Sequence, residues 1–506
     1  MKRGRAVRPP ARLGPAAWWR TGRSAAGGFD RRFWVLCSGF LASSMGFAMV
    51  IPFISLYFHE ELGVPMSRVG LVFLVTAVIR AAFQAIAGDL SDRLGRARLM
   101  SAGQAARALC FFALAGTVFA RAGFLPTAGV LLLSYIAGAF YMPVASAAVA
   151  DLAPPDRRLT AYAILRIFDN VGWGIGPMLG GMVADFGFGW LFVLGAAISA
   201  VSAGLVARHL RETLRPPAEG AVRSIIDEAG GAASPGSTRD SGSRGGLGST
   251  GSSESAGSSE SAGSFEATGG FETTGGTEGA GGTESAGSPR RAARSGATHS
   301  AAGSRRWFGH GLLSVRHDRT FLLFCALSLL VFLTMSQWLT TLSVYASGQL
   351  GITKRQLGAL FGINGLMVVA LQLPVTRGLR RLSLVGSLTL GAAVYAVSFL
   401  GLAFARTWLH LVAGMVAITL AELIFSPPSV ALVSLIAPPE RTGRYMGIYS
   451  LVTAFGWSAG PFVGGLLLDR WVEEPLRLWG SVAALGAAGA VGFAATRRRY
   501  RTRMPS

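Results

Sequence analysis

The stretch Gly172-Trp173-Gly174-Ile175-Gly176-Pro177-Met178-Leu179-Gly180-Gly181 returns as Gly456-Trp457-Ser458-Ala459-Gly460-Pro461-Phe462-Val463-Gly464-Gly465, at an offset of 284 residues. The register holds without a gap on both sides. Upstream, Ala153-Pro154-Pro155-Asp156-Arg157 answers Ala437-Pro438-Pro439-Glu440-Arg441, and Pro143 answers Pro427; downstream, Asp185 answers Asp469. Compositional coincidence does not match Trp and Pro at the same depth. The chain is therefore read as two duplicated halves of the same orientation.

Each copy lies inside an apolar run, and such runs recur through both halves. About 20 apolar residues cross a ~30 Å hydrocarbon core at 1.5 Å per residue. Twelve spans are predicted: 33–58, 66–87, 98–120, 124–150, 159–184 and 187–208, then 319–347, 353–375, 383–405, 408–435, 443–468 and 476–496. Charged residues make up only 14% of the chain, against roughly 25% in a soluble domain, and a water-soluble core has no use for so many apolar runs. The expected fold class is an all-α membrane protein of 12 transmembrane helices in two pseudo-symmetric six-helix bundles. Gly, Ala and Ser are frequent in these runs, which lets helix backbones approach closely in lipid.

Arg placement orients the spans. Arg31/Arg32, Arg93/Arg96/Arg98, Arg157/Arg158, Arg377/Arg380/Arg381, Arg441/Arg444 and Arg497 to Arg503 all fall on one side. The other side carries fewer basic residues, among them Arg68, Arg121, Lys354/Arg355 and Arg406. The positive-inside rule then makes both termini cytoplasmic, in a multi-pass protein of the plasma membrane. Between 210 and 316, Ser, Gly, Thr, Ala and Glu dominate. Such a segment buries too little apolar surface to offset its ordering entropy, so a disordered cytoplasmic tether is expected. The organisation is a basic tail (1–32), a first bundle (33–209), the linker (210–316), a second bundle (317–496) and a second basic tail (497–506).

The net charge of +21 sits beside apolar spans. It implies topology and contact with anionic lipid headgroups rather than nucleic acid. Cys37, Cys110 and Cys325 each fall within an apolar span without metal or redox spacing. The basic, Pro-rich start has no apolar core before Phe33, unlike a cleavable signal peptide. With no phosphate-binding Gly-rich loop carrying Lys, no Ser/His/Asp arrangement and no metal-ligand cluster, the reading is a non-enzyme with no cofactor or metal and no obligate protein partner.

The segment after the second span reads Gly88-Asp89-Leu90-Ser91-Asp92-Arg93-Leu94-Gly95-Arg96-Ala97-Arg98. It resembles the loop signature of the major facilitator superfamily. The turn needs Gly95 for its backbone angles, Asp92 suits a helix N-terminus or an Arg, and Arg96 can reach a carboxylate. Asp151 is the candidate partner of Arg96. The resemblance implies that this cluster latches the two halves on the cytoplasmic side in the outward-facing state. The corresponding Arg377-Gly378-Leu379-Arg380-Arg381 keeps the basic residues without the Asp.

The opening stretch, Gly172, Gly176, Pro177, Gly180 and Gly181, resembles the fifth-span motif of the drug:proton antiporter branches. Its spacing of four puts the first Gly residues on one helix face, and Pro177 favours a kink. The resemblance implies packing against the opposite half, a pattern repeated by Gly456, Gly460, Pro461, Gly464 and Gly465. The chain departs from that branch at Ser134, where many antiporters carry an Arg four residues before a Gly.

Ionisable residues deep in spans are functional candidates because a charge in lipid is costly. Here they are Glu422, Asp169, Arg166, Arg107 and Arg80. Glu422, with no basic neighbour in its own helix, is the expected proton carrier, while Asp169 faces a choice between that role and pairing with Arg166 or Arg107. The expected function is proton-coupled efflux of amphipathic small molecules by alternating access. One rival is a nutrient or organic-anion importer, which deep Arg80 and Arg107 would suit. Another is a transport-inactive sensor or scaffold built around the linker.

Overall fold

The computed structural model describes residues 28–154, 157–210, 317–438 and 441–501. The predicted linker beyond Leu210 and the outer parts of both basic tails lie outside these residues, as do Pro155, Asp156, Pro439 and Glu440 of the matched loops. The first half contains α1 (Arg31–Leu56), α2 (Met66–Ala85), α3 (Ala87–Leu94), α4 (Arg96–Phe119), α5 (Phe124–Ala139), α6 (Tyr141–Leu152), α7 (Arg158–Ala184) and α8 (Phe188–His209). The second contains α9 (Arg319–Met335), α10 (Thr341–Leu350), α11 (Lys354–Leu379), α12 (Leu384–Leu402), α13 (Trp408–Ile436), α14 (Thr442–Trp471) and α15 (Pro475–Arg501).

Among the described residues, eleven helical segments are long and apolar enough to cross a membrane. They account for eleven of the twelve predicted spans. The span predicted at 159–184 forms as α7, 27 residues long, but falls outside the eleven. Its glycines, with Arg158, Arg166 and Asp169, dilute its apolar content. It nonetheless packs between α1 and α11, inside the bundle.

Several boundaries move for local reasons. The fourth predicted span is two helices, because Pro143 has no N–H to offer the carbonyl of Ala139. The seventh tightens into a 3-10 turn at Ser336–Trp338, where Gln337 Nε2 donates to the Leu333 and Gly460 carbonyls at 2.7 and 2.9 Å. The predicted loop after the second span is largely helical, as α3, and only Gly95 breaks it, at φ 91°. The last helix runs through Arg497 to Arg501, so part of the predicted tail is helix. At the other end, Asp30 caps α1 by accepting from Arg32 N.

Within the first half α1 packs on α7 and α8, and α4 on α8; in the second, α12 packs on α13 and α15, and α9 on α14. The halves meet chiefly along two helix pairs, α7 with α11 and α2 with α14, with a smaller contact between α1 and α10. The two main pairs exchange places under the repeat, so the duplicated sequence builds a pseudo-symmetric seam.

Candidate functional site

The seam is built on glycine, but not on the glycines the spacing singled out. Gly172, Gly176 and Gly180 face α1 of their own half, against Ser44, Met45 and Met49. Gly456, Gly460 and Gly464 likewise face Phe332, Ser336 and Gln337 of their own half. The inter-half contact falls to Gly181 and to Gly174, which the motif leaves unspecified. A Cβ at Gly181 would stand 3.0 Å from Gly358 Cα, and one at Gly174 would stand 3.3 Å from Gly365 Cα. In the pseudo-symmetric seam a side chain at Gly465 would collide with the Met66 backbone, and one at Gly70 with Pro461 and Phe462. The partner glycines on α2 and α11 carried no repeated motif, so spacing did not reveal them.

All these approaches lie between mid-helix and the face away from the Arg-rich loops. At that far face Asp469 crosses the seam. Its two carboxylate oxygens accept from Met66 N and Ser67 N at 2.7 and 2.8 Å. The N-cap residue of α2 is Pro65, which offers no capping side chain. Asp469 therefore caps the helix of the other half. Its repeat counterpart Asp185 has no equivalent task, because Thr353 and Gln356 already form a capping box on α11.

Arg96 forms an ion pair with Asp151 and lies 3.7 Å from Asp92, its own side chain only 14% exposed. Asp92 remains 63% exposed, and Arg93 and Arg98 are exposed too. Gly88 lies in α3. In this conformation the cluster ties α3 and α4 to α6.

Between the two faces sit the deep ionisable groups. Asp169 accepts from Ser44 Oγ at 2.5 Å, and neither Arg166 nor Arg107 lies within ion-pairing distance of it among the described residues. Glu422 is held by Asn364, whose Nδ2 donates to Thr419 Oγ1 at 2.9 Å and to Glu422 Oε2 at 3.4 Å. Each half thus contributes one carboxylate held by a neutral donor. Arg166 is the cation whose charge acts on both. Ser44 and Asn364 were missed from sequence, where a lone polar residue in an apolar span looks like ordinary packing.

Arg107 is 7% exposed. Its guanidinium lies 5.1 Å from the Phe47 ring centroid, and its Nη1 donates to Ser43 Oγ at 3.3 Å. It also fills the space a side chain at Gly138 would need. Gly138 is one turn beyond Ser134, whose hydroxyl bonds to the Leu131 carbonyl at 2.6 Å. The cation absent at 134 is thus replaced in space by one from α4. Phe47 is flanked by Tyr135 and Trp173 at 5.2 and 6.2 Å. In the second half Trp457 contacts Trp338 at 6.4 Å.

Two duplicated helical halves, a glycine seam and buried charges between them describe a carrier fold. Residues 36–461, and in a second match 327–505, fit the Major Facilitator Superfamily. The chain belongs to this superfamily. Among curated relatives, it is 22% identical to the uncharacterized MFS-type transporter YttB of Bacillus subtilis, over 86% of this chain and 88% of that one. It is 29% identical to a Na(+), Li(+), K(+)/H(+) antiporter of Planococcus maritimus, a match that spans 37% of this chain and 44% of the antiporter's length. It is 28% identical to the multidrug resistance protein MdtH of Aeromonas hydrophila, over 34% of this chain and 42% of that protein. A solved peptide transporter in complex with sulfate superposes with a TM-score of 0.64 at 15% identity, covering 96% of this chain and 99% of that one. This superfamily member is a multi-pass membrane transporter.

Proposed function

We propose that this transporter is a proton-coupled exporter of amphipathic small molecules, working by alternating access in the plasma membrane with both termini cytoplasmic and twelve spans, α7 included. The observation that carries the reading is the pair Asp169 and Glu422. One stands in each half, and each is hydrogen-bonded by a neutral side chain rather than locked in an ion pair. A carboxylate without a fixed counter-ion in a low-dielectric site can take up and release a proton as its surroundings change. The glycine seam supports rocking, since smooth faces leave little to unlock when the halves pivot.

The test is reconstitution in proteoliposomes. Acid-inside loading is expected to drive uptake of an amphipathic dye in the wild type. Glu422→Gln should abolish gradient-driven accumulation while substrate counterflow persists. Counterflow that ignores a pH gradient of either sign in the wild type would sink proton coupling, and accumulation against the opposite gradient would make the protein an importer.

A further inference from the structure

We infer that Arg107 and Arg80, with the aromatic trio Phe47, Tyr135 and Trp173, form an anion half-site, and that the transported molecule is an amphipathic organic anion. The inference rests on the transporter reading above and narrows its substrate class.

A guanidinium in the membrane interior is costly unless its charge and donors are met. Arg107 has five donor hydrogens, yet among the described residues it makes one side-chain hydrogen bond, to Ser43 at 3.3 Å, and its Nε is buried without a partner. Ser43 is itself shared, accepting from Gln104 Nε2 at 2.5 Å. Among the described residues no carboxylate lies within ion-pairing distance of Arg107, and Arg80 adds a second positive charge nearby. Among the described residues Arg80 likewise has no carboxylate within ion-pairing distance. The deep carboxylates have neutral partners of their own, Asp169 in Ser44 and Glu422 in Asn364.

Two neighbouring cations, mutually repelling and lacking a carboxylate, are satisfied together by one anionic group. A planar or tetrahedral oxyanion accepts from a guanidinium fork in the geometry such groups favour. The body of the ligand then has a surface to lie on: Phe47 bridges Tyr135 and Trp173, and Trp173 stands on α7 at the seam. Charge recognition in one half beside an aromatic platform fits a carboxylate or sulfonate on an apolar body. A lipid phosphate shares the anionic chemistry, so the experiment separates the two sources.

The full-length protein in detergent is titrated with naphthalene-2-sulfonate and with neutral naphthalene-2-sulfonamide, reading thermal unfolding and tryptophan fluorescence. The sulfonate should bind about tenfold or more tightly than the sulfonamide, the scale of one charge-assisted hydrogen bond. Arg107→Gln should erase that preference and leave sulfonamide binding unchanged, while Arg107→Lys keeps part of it. Should Arg107→Gln fail to fold, Arg80→Gln gives the same readout from a half-buried position, with loss of preference supporting the site and retention overturning it. Equal binding of the two probes, binding of neither, or a preference that survives Arg107→Gln overturns the half-site. Stabilisation by phosphatidylglycerol with no effect of the sulfonate also overturns it, assigning the guanidiniums to a lipid headgroup. A sulfonate preference in a protein indifferent to pH gradients would keep the half-site and sink proton coupling; gradient-driven export of neutral dyes without the preference would do the reverse.

Discussion

On the Arg-rich face Asp92 stands 3.7 Å from Arg96 of its own half and keeps most of its side chain in solvent, whereas on the far face Asp469 reaches across to the other half and caps α2. Both are short acidic side chains at helix ends, and only one joins the halves. The glycine contacts agree, since Gly181 with Gly358 and Gly465 with Met66 lie toward the same far face. In this conformation the far face therefore carries direct contacts between the halves, through Asp469 and the glycine pairs. An alternating carrier would have to part these contacts to reach its other state.

Breaking the far-face contacts should have the largest effect. Gly365→Leu drives a side chain into the Gly174 backbone. Overpacking of this kind costs about 1–3 kcal/mol, and here it can be relieved by parting the halves. Cysteine labelling at far-face positions should rise several-fold, with transport falling in step; unchanged labelling would mean that the seam tolerates the wedge. Asp469→Asn removes the charge while keeping one acceptor. A charge-assisted cap is worth about 1 kcal/mol, so far-face labelling should increase roughly fivefold, with insertion and yield unchanged. Asp185→Asn provides the control and should have no such effect, because α11 caps itself through Thr353. The smallest effect on this conformation is expected from Asp92→Asn, which should leave far-face labelling as in the wild type and alter accessibility only on the Arg-rich face. A change on both faces would tie Asp92 to far-face closure and erase the contrast.

The repeat and the apolar runs were legible because both are local properties of the chain. Period, length and composition decide that a segment is a membrane helix, and identical segments at a fixed offset build equivalent units. The segment predicted at 159–184 does form a helix, α7, with the same motif as its twin α14, although it is not among the eleven apolar enough to qualify as spans. Boundaries were less legible where a single residue governs them, as Pro143 does in the fourth span. Among the site residues, Gly95 declared itself by its turn and Arg96 by its company of acids. Ser44 and Asn364 did not, since nothing in α1 or α11 marks a Ser or Asn as the partner of a distant carboxylate.

By itself the sequence determined a two-fold membrane carrier, its spans, its Arg-rich side and the set of deep charges worth attention. Only the tertiary structure decided that the spaced glycines hold each half together while Gly174, Gly358 and Gly365 form part of the seam. It alone brought Asp469 to α2, Ser44 to Asp169, Asn364 to Glu422 and Arg107 to the position one turn from Ser134. Helix formation answers to the chain's local hydrogen bonding and apolarity. Which face of a helix meets which neighbour is settled by close packing among all the helices at once, and that information is spread across both halves.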